Sequence, residues 1–293
     1  MSIERTLLRQ PEAAIPQRYE RIIRMRQEFL ERQATGNVVV RGEELQWSQN
    51  RQGLSLSYLN PLTEGTCTRE WVVFVHDIKR HSGMHRHQGG LVIFVLEGSG
   101  YTILNGEHED WKAGDLLLLP LIPGGIEHQH FNHDESQGCK WIAFLYMPYW
   151  DLVSSEMAQV ELHPDYQQNA SAVSSAVLSE GALGKRLDAP DLASPASGDG
   201  ATLLDRMLAL RDEQRRQWQT GRKVIRLEDT SLEHNQIGPM RWYMHPLTTG
   251  ACLNSLVVYT IELPPNSRTA RYHYQGGSVG YILEGSGSTV ING

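Results

Sequence analysis

Long apolar runs are missing from this 293-residue chain. The longest, Leu91–Leu96 and Leu116–Pro123, have the length of strands, well short of the roughly 18 residues that a membrane-spanning helix needs. The first residues, MSIERTLLRQPEAAIPQRYERIIRMRQ, are charged throughout and contain no apolar segment of signal-peptide type; they predict a cytoplasmic protein with no membrane partner. Positive charge is also in deficit: 27 Lys and Arg face 34 Asp and Glu, a formal net charge of -7. Phosphate binding needs a basic surface, so no nucleic-acid partner is expected. Cysteine is scarce, and Cys67, Cys139 and Cys252 are odd in number. Their spacing suits neither a zinc knuckle nor a disulfide framework, so they read as buried reduced thiols. What remains, 40% hydrophobic and 21% charged, is the composition of a globular chain that can bury one large core or two ordinary ones.

The chain repeats itself. RQATGNVVVR (32–41) resembles RQWQTGRKVIR (216–226), and NPLTEGTC (60–67) resembles HPLTTGAC (245–252). The pairs Gly36/Gly221, Arg41/Arg226, Pro61/Pro246 and Cys67/Cys252 share an offset of 185, which becomes 187 at HQGG and YQGG. Several anchors at one offset indicate duplication. The predicted division is a helical segment 1–36, a first β-rich unit 37–150, a linker 151–200 rich in Ala, Ser, Gly and Asp towards its end, a linking helix 201–222, and a second β-rich unit 223–293. Turns are expected at Asn105-Gly106, at Ala113-Gly114-Asp115 and at Pro123-Gly124-Gly125. The second copy ends at VING (290–293), which matches ILNG (103–106). Counterparts of Glu107–Trp150 are absent from it, so the second barrel is expected to be incomplete.

The chemistry-bearing residues are histidines. In a strand, residues i and i+2 point the same way. His85 and His87 therefore share a face, as do His128 and His130, 41 residues after His87. If the sheet closes on itself, the two pairs meet inside. Three neutral imidazoles suit Fe(II), Zn, Cu, Ni or Mn. In the second copy Tyr272 and Tyr274 replace His85 and His87, and His273 between them should face the other way. By the same alternation Gln88 and Glu127 should face away from the ligands, while Trp71, Phe94, Trp141 and Phe144 are candidates to line a cavity. Lys79, Arg80 and Arg86 read as a solvated edge. Glu97 recurs as Glu284 in the repeated LEGSG turn, which marks it as structural.

These motifs resemble the cupin superfamily. Gly83, His85, His87 and Gly98 follow its first motif; Gly114–Pro120 and Pro123, Gly125, His128 and Asn132 follow its second, with a short insertion between the two prolines. The resemblance implies a mainly β fold: tandem double-stranded β-helix (cupin) barrels with N-terminal and inter-domain helices. It makes His128, which has the His-x3-Asn spacing, the third metal ligand beside His85 and His87, and leaves His130 next to the site as a second-sphere acid or base near neutral pH. The glutamate that many cupins add four or five residues after the second histidine is replaced by Leu91 or Val92. A three-histidine site in a bicupin is similar to the gentisate and salicylate 1,2-dioxygenase group.

That likeness implies an Fe(II)-dependent (or other divalent-metal) ring-cleaving dioxygenase. Its partners would be O2 and a small hydroxylated aromatic acid that chelates the metal, and it would be a homo-oligomer with the metal in the first cupin only. One departure bears on the substrate: where the group carries a carboxylate-gripping arginine, six residues past the second histidine, this chain has Ile93. The same residues also allow another metal-dependent cupin enzyme, such as a lyase, an isomerase or a diketone-cleaving dioxygenase, or a non-catalytic ligand-binding bicupin.

Overall fold

The computed structural model describes residues 18–122, 124–153, 155, 157–166, 202–274 and 277–291. Pro123, Gln275, Gly276 and most of the expected linker lie outside the described residues. Helix α1 (Arg18–Thr35) precedes the first unit. That unit holds β1 (Ser48–Asn50), β2 (Gly53–Leu59), β3 (Trp71–Asp77), β4 (Met84–His87), β5 (Leu91–Glu97), β6 (Ser99–Leu104), β7 (Glu107–Lys112), β8 (Leu116–Leu119), β9 (Ile126–Asn132) and β10 (Lys140–Tyr146). A short helix α2 (Met147–Leu152) and strand β11 (Ala158–Glu161) follow. Helix α3 (Leu203–Thr220) begins at a capping box: Asp205 N–H donates to Thr202 Oγ1, and Thr202 N–H to Asp205 Oδ2. It leads to β12 (Val224–Ile225), β13 (Leu232–His234), β14 (Pro239–Met244) and β15 (Val258–Ile261).

The strands form two large antiparallel sheets, ordered β1-β2-β3-β10-β5-β8-β12 and β11-β4-β9-β6-β7, and a small sheet β13-β14-β15. The large sheets are open at their ends and do not join into one hydrogen-bonded ring. One apolar cluster takes side chains from both: Leu91, Ile93, Val95, Leu117, Leu119, Trp141, Ala143 and Leu145 from the first, and Leu104, Trp111 and Ile126 from the second. This is the interior of the first unit. The alternate residues of the seven-stranded sheet (Val73, Val75, Val92, Phe94, Leu116, Leu118, Ile142) pack instead against Tyr243, Met244, Ala251, Cys252 and Leu253 of the second unit. A sheet buried on both faces explains why β5 and β8 read as continuous apolar runs rather than as alternation.

The duplication is visible as repeated hydrogen bonding. Asn37 bridges Thr66 in parallel, and Arg222 bridges Ala251, each residue displaced by 185. The flanking bonds recur as well: Cys67 N–H donates to Asn37 O, and Cys252 N–H to Arg222 O, both at 3.0 Å. Strands β13, β14 and β15 stand at the offset of β1, β2 and β3, but the described residues from 262 to 291 form no strand. Between β6 and β7 the expected turn is present: Asn105 and Gly106 both have positive φ, 48° and 89°, as a two-residue type I′ hairpin requires. Cys139 and Cys252 are fully buried free thiols whose pKa burial pushes up to about 12, while Cys67 is partly buried. No helix among the described residues is long and apolar enough to cross a membrane.

The two units are clamped by Asp115, which is wholly buried at the start of β8. Its Oδ2 accepts from Arg226 Nη1 at 3.0 Å and from Lys112 N–H at 3.1 Å, and its Oδ1 accepts from Leu227 N–H at 3.0 Å. Asp115→Ala removes all three partners and leaves two backbone N–H groups unmet, at a cost on the order of 3 kcal/mol. Urea denaturation should show that loss, with Asp115→Asn losing less. An unchanged midpoint for Asp115→Ala would mean that the clamp carries no stability.

Candidate metal centre

Strands β4 and β9 pair with His85 opposite His128, Arg86 opposite Glu127 and His87 opposite Ile126. On β9, Ile126, His128 and His130 share a face by the two-residue period, and Ile126 belongs to the interior cluster. The three imidazoles of His85, His87 and His128 therefore converge inside the first unit. Their ring centroids lie 4.1 Å (His85–His128), 4.7 Å (His87–His128) and 5.3 Å (His85–His87) apart. One ring nitrogen of each lies within 4.8 Å of the others, so the group can hold a metal ion. It contains no carboxylate, as Leu91 and Val92 already indicated.

Their electrostatics suit a divalent cation. Burial, reinforced by His128 and the other neighbouring imidazoles, holds His85 well below the ordinary imidazole pKa; burial and His128 do the same for His87. Burial lowers His128 to about 4. All three are thus neutral at pH 7, the state in which imidazole ligates. His85 Nδ1 and His87 Nε2 are buried without a hydrogen-bond partner. His128 Nδ1–H donates to Ile126 O at 3.1 Å, which leaves its Nε2 lone pair free. His87 needs one change, because its Nδ1 accepts from Gly89 N–H at 2.9 Å and its ring proton therefore sits on Nε2. Ligation through Nε2 would shift that proton to Nδ1, and Gly89 N–H would lose its acceptor.

His130 lies beside the triad, its centroid 5.4 Å from that of His128. Its Nδ1 is 2.7 Å from Thr102 Oγ1, which also accepts from Trp111 Nε1 at 2.8 Å, and its backbone N–H donates to Ser82 Oγ at 3.0 Å. Burial, then the neighbouring imidazoles, push its pKa well below the usual value. This differs from the expectation of a group titrating near neutrality: a wholly buried ring with a fixed partner stays neutral. Thr102, Trp111 and Ser82 were not singled out by the sequence reading, because none carries a metal-binding pattern.

The candidate lining residues divide. Trp141 faces the interior, 5.0 Å from His130 and 4.9 Å from His76. Trp71, Phe94 and Phe144 lie on the opposite face of the seven-stranded sheet and pack towards the second unit. Two residues that the sequence did not suggest close the site: Trp150 on α2 lies 4.9 Å from the His87 ring, and Gln159 on β11 pairs opposite His85. Glu97 is bound to Lys140 at 2.7 Å, in keeping with its structural reading. Tyr272 and Tyr274 are half-exposed and stack at 5.8 Å.

Replacing His85 with Ala should abolish metal uptake measured by elemental analysis; retained metal would overturn the ligand set. His76 is buried and its pKa lies near 3 against an ordinary 6.5, first through burial and then through His163. The unfolded chain therefore takes up that proton first. The contribution of His76 to stability is present above about pH 6.5 and is lost as the pH drops towards 3. Thermal melts of metal-free protein should show Tm decreasing over that window, less steeply for His76→Asn. A flat profile would contradict the buried neutral imidazole.

Residues 74–145 match the family model described as "Cupin domain". A 5-aminosalicylate 1,2-dioxygenase from Comamonas sp is 31% identical over 84 residues, which are 28% of this chain and 22% of the relative. The chain thus aligns with less than a quarter of that relative's length. Among solved structures, a salicylate 1,2-dioxygenase from Pseudaminobacter salicylatoxidans shares 25% identity over 39% of this chain and 32% of its own, at TM-score 0.30. A hazelnut (Corylus avellana) vicilin shares 16% over 70% of this chain and 57% of its own, at TM-score 0.41. Residues 74–145 are thus similar to a cupin domain, within a mainly β chain that resembles a salicylate-type dioxygenase over part of its length.

Proposed function

We propose that this chain is a non-heme, Fe(II)-dependent dioxygenase that cleaves a small O,O-chelating substrate, with His85, His87 and His128 as the metal ligands. The observation that carries the reading is the carboxylate-free group of three neutral imidazoles, His87 and His128 buried and His85 partly so, two of which have an unpartnered buried ring nitrogen. Three protein ligands would leave coordination positions on such an ion open to a bidentate substrate and O2. Bound there, the iron would supply a Lewis acid and a route for electrons between substrate and O2. The chain's own residues hold, orient and dry the site: Ile126 O fixes the His128 tautomer, Trp150 covers His87, and the apolar interior excludes water.

His130 is assigned a catalytic role next to the substrate. It acts as a neutral hydrogen-bonding imidazole anchored by Thr102, not as a group that titrates at pH 7. In the same reading 37–150 is the metal-binding cupin and 223–293 its metal-free counterpart. The protein works in the cytoplasm as a homo-oligomer, which the exposed Ile22, Met25 and Leu30 of α1 support. The names of the relatives favour a hydroxylated aromatic acid of the salicylate or gentisate type. Ile93, an apolar residue in the interior, favours instead a chelator without a free carboxylate, such as a diketone.

Anaerobically prepared protein should contain stoichiometric iron and consume O2 with one member of a panel of gentisate, salicylates, hydroxynaphthoates and diketones. Iron without O2 uptake on any of them would sink the dioxygenase reading. Zinc or nickel with an elimination activity would favour a lyase instead.

A further inference from the structure

We infer that the indole N–H of Trp141 positions the ligand at this centre, and that the centre selects an O,O-chelator of at most one negative charge, such as a hydroxyaryl ketone or a diketone, over a hydroxy acid. The inference rests on the metal-centre reading above and names the substrate class of that site.

Buried polar atoms in folded proteins almost always have partners, so each orphan calls for an explanation. Three of those without one belong to the first unit's interior: His85 Nδ1, His87 Nε2 and Trp141 Nε1. The first two belong to the triad. The third is an indole N–H, which, unlike an imidazole, cannot tautomerise to free a lone pair and so cannot ligate a cation. Trp141 is only 4% exposed, and its ring is fixed against Phe74 (5.7 Å), His76 (4.9 Å) and His130 (5.0 Å). Trp111, another buried indole of the same interior, shows the ordinary outcome: its N–H donates to Thr102. Trp71 Nε1 is also unpartnered but lies on the other face of the sheet, near Tyr146. Among the described residues the interior therefore holds one unmet indole donor, its ring against His130, which itself neighbours His128, and it suits an oxygen that the protein itself does not supply.

The charge of that oxygen follows from the walls. To the interior the seven-stranded sheet presents Leu91, Ile93, Val95, Leu117, Leu119 and Ala143, with His76 and Trp141 as its polar side chains. No Lys or Arg among the described residues is buried. Arg86, the nearest in sequence, is turned from the triad by strand alternation and pairs across from Glu127 and Ala158. A hydroxy acid chelating through one carboxylate oxygen would carry its other oxygen, still sharing the negative charge, into this apolar wall with no cation to meet it. Such burial is costly. A ketone oxygen on the metal keeps one lone pair, which a single neutral N–H satisfies. An indole N–H beside the neutral His130 imidazole, with no cation, is a donor set for a carbonyl.

The test uses the full chain loaded anaerobically with Fe(II), after its metal content has been measured. Tryptophan fluorescence follows titration with ortho-hydroxyacetophenone, acetylacetone and salicylate. The ketones should bind at least about ten-fold more tightly than salicylate. Trp141→Phe, which keeps the ring and removes the donor, should weaken ketone binding about ten-fold and leave metal content and salicylate binding unchanged. In the unmodified chain the indole N–H resonance of Trp141 should shift on addition of ketone, a readout that holds even if the variant fails to fold. Equal or tighter salicylate binding overturns the charge selection. An unmoved resonance, or a variant that binds ketone normally, overturns the role of Trp141. Absence of metal uptake overturns the metal-centre reading together with this one, whereas normal uptake with a salicylate preference overturns this one alone.

Discussion

Antiparallel pairing of β4 with β9, with His85 set opposite His128, is the constraint on which the candidate centre depends. Side chains in a strand alternate faces, so a slip of one residue on either strand would turn its histidines outward and bring Arg86 or Glu127 in. Neighbouring elements hold the register. Gln52 and Gln159 are tied at 2.7 Å next to β4, and Gln159 Nε2 also donates to Met84 O and Glu161 O. On the far side of β9, β6 sets Thr102 opposite His130. The histidines are therefore placed by backbone pairing on both sides of their own strands.

The seven-stranded sheet is the wall against which that geometry is built. It has no solvent face along its centre: one set of side chains fills the interior and the other meets the second unit. The second unit contributes to the wall itself, since Val224 and Ile225 of β12 pair with Leu117 and Leu116 of β8. Lys223 reinforces the junction, reaching Glu107 at 2.7 Å. The second copy has tyrosines at the ligand positions, yet its strands and its Asp115 contacts brace the sheet that faces the histidines.

The two histidine pairs were legible in the sequence because spacing and chemistry coincide there: a two-residue period and a metal-binding side chain are both visible without a fold. The repeat was legible too, and its hydrogen bonds recur at the same offset. The lining aromatics were not. Trp71, Phe94, Trp141 and Phe144 lie on strands buried on both faces, where an apolar run gives no contrast between inside and outside. Three of the four went to the second unit. The acid–base reading of His130 missed for a related reason: a sequence shows the imidazole, not the burial and the Thr102–Trp111 pairing that hold it neutral.

Burial has opposite consequences for the two kinds of polar group in this interior. It costs the imidazoles their protonated form, and a neutral ring is the one a metal takes, so the penalty leaves them in their ligating state. For an anionic ligand the same medium is hostile unless a positive charge meets every charged oxygen. In an interior lined by Ile93, Leu117 and Ala143, where no Lys or Arg among the described residues is buried, such a charge would come from the ion itself. A ligand that places all of its charge on the metal and offers the protein a neutral oxygen satisfies both halves of that constraint. The sequence states half of it in the histidines and the other half in the apolar residues, Ile93 among them, that line the interior.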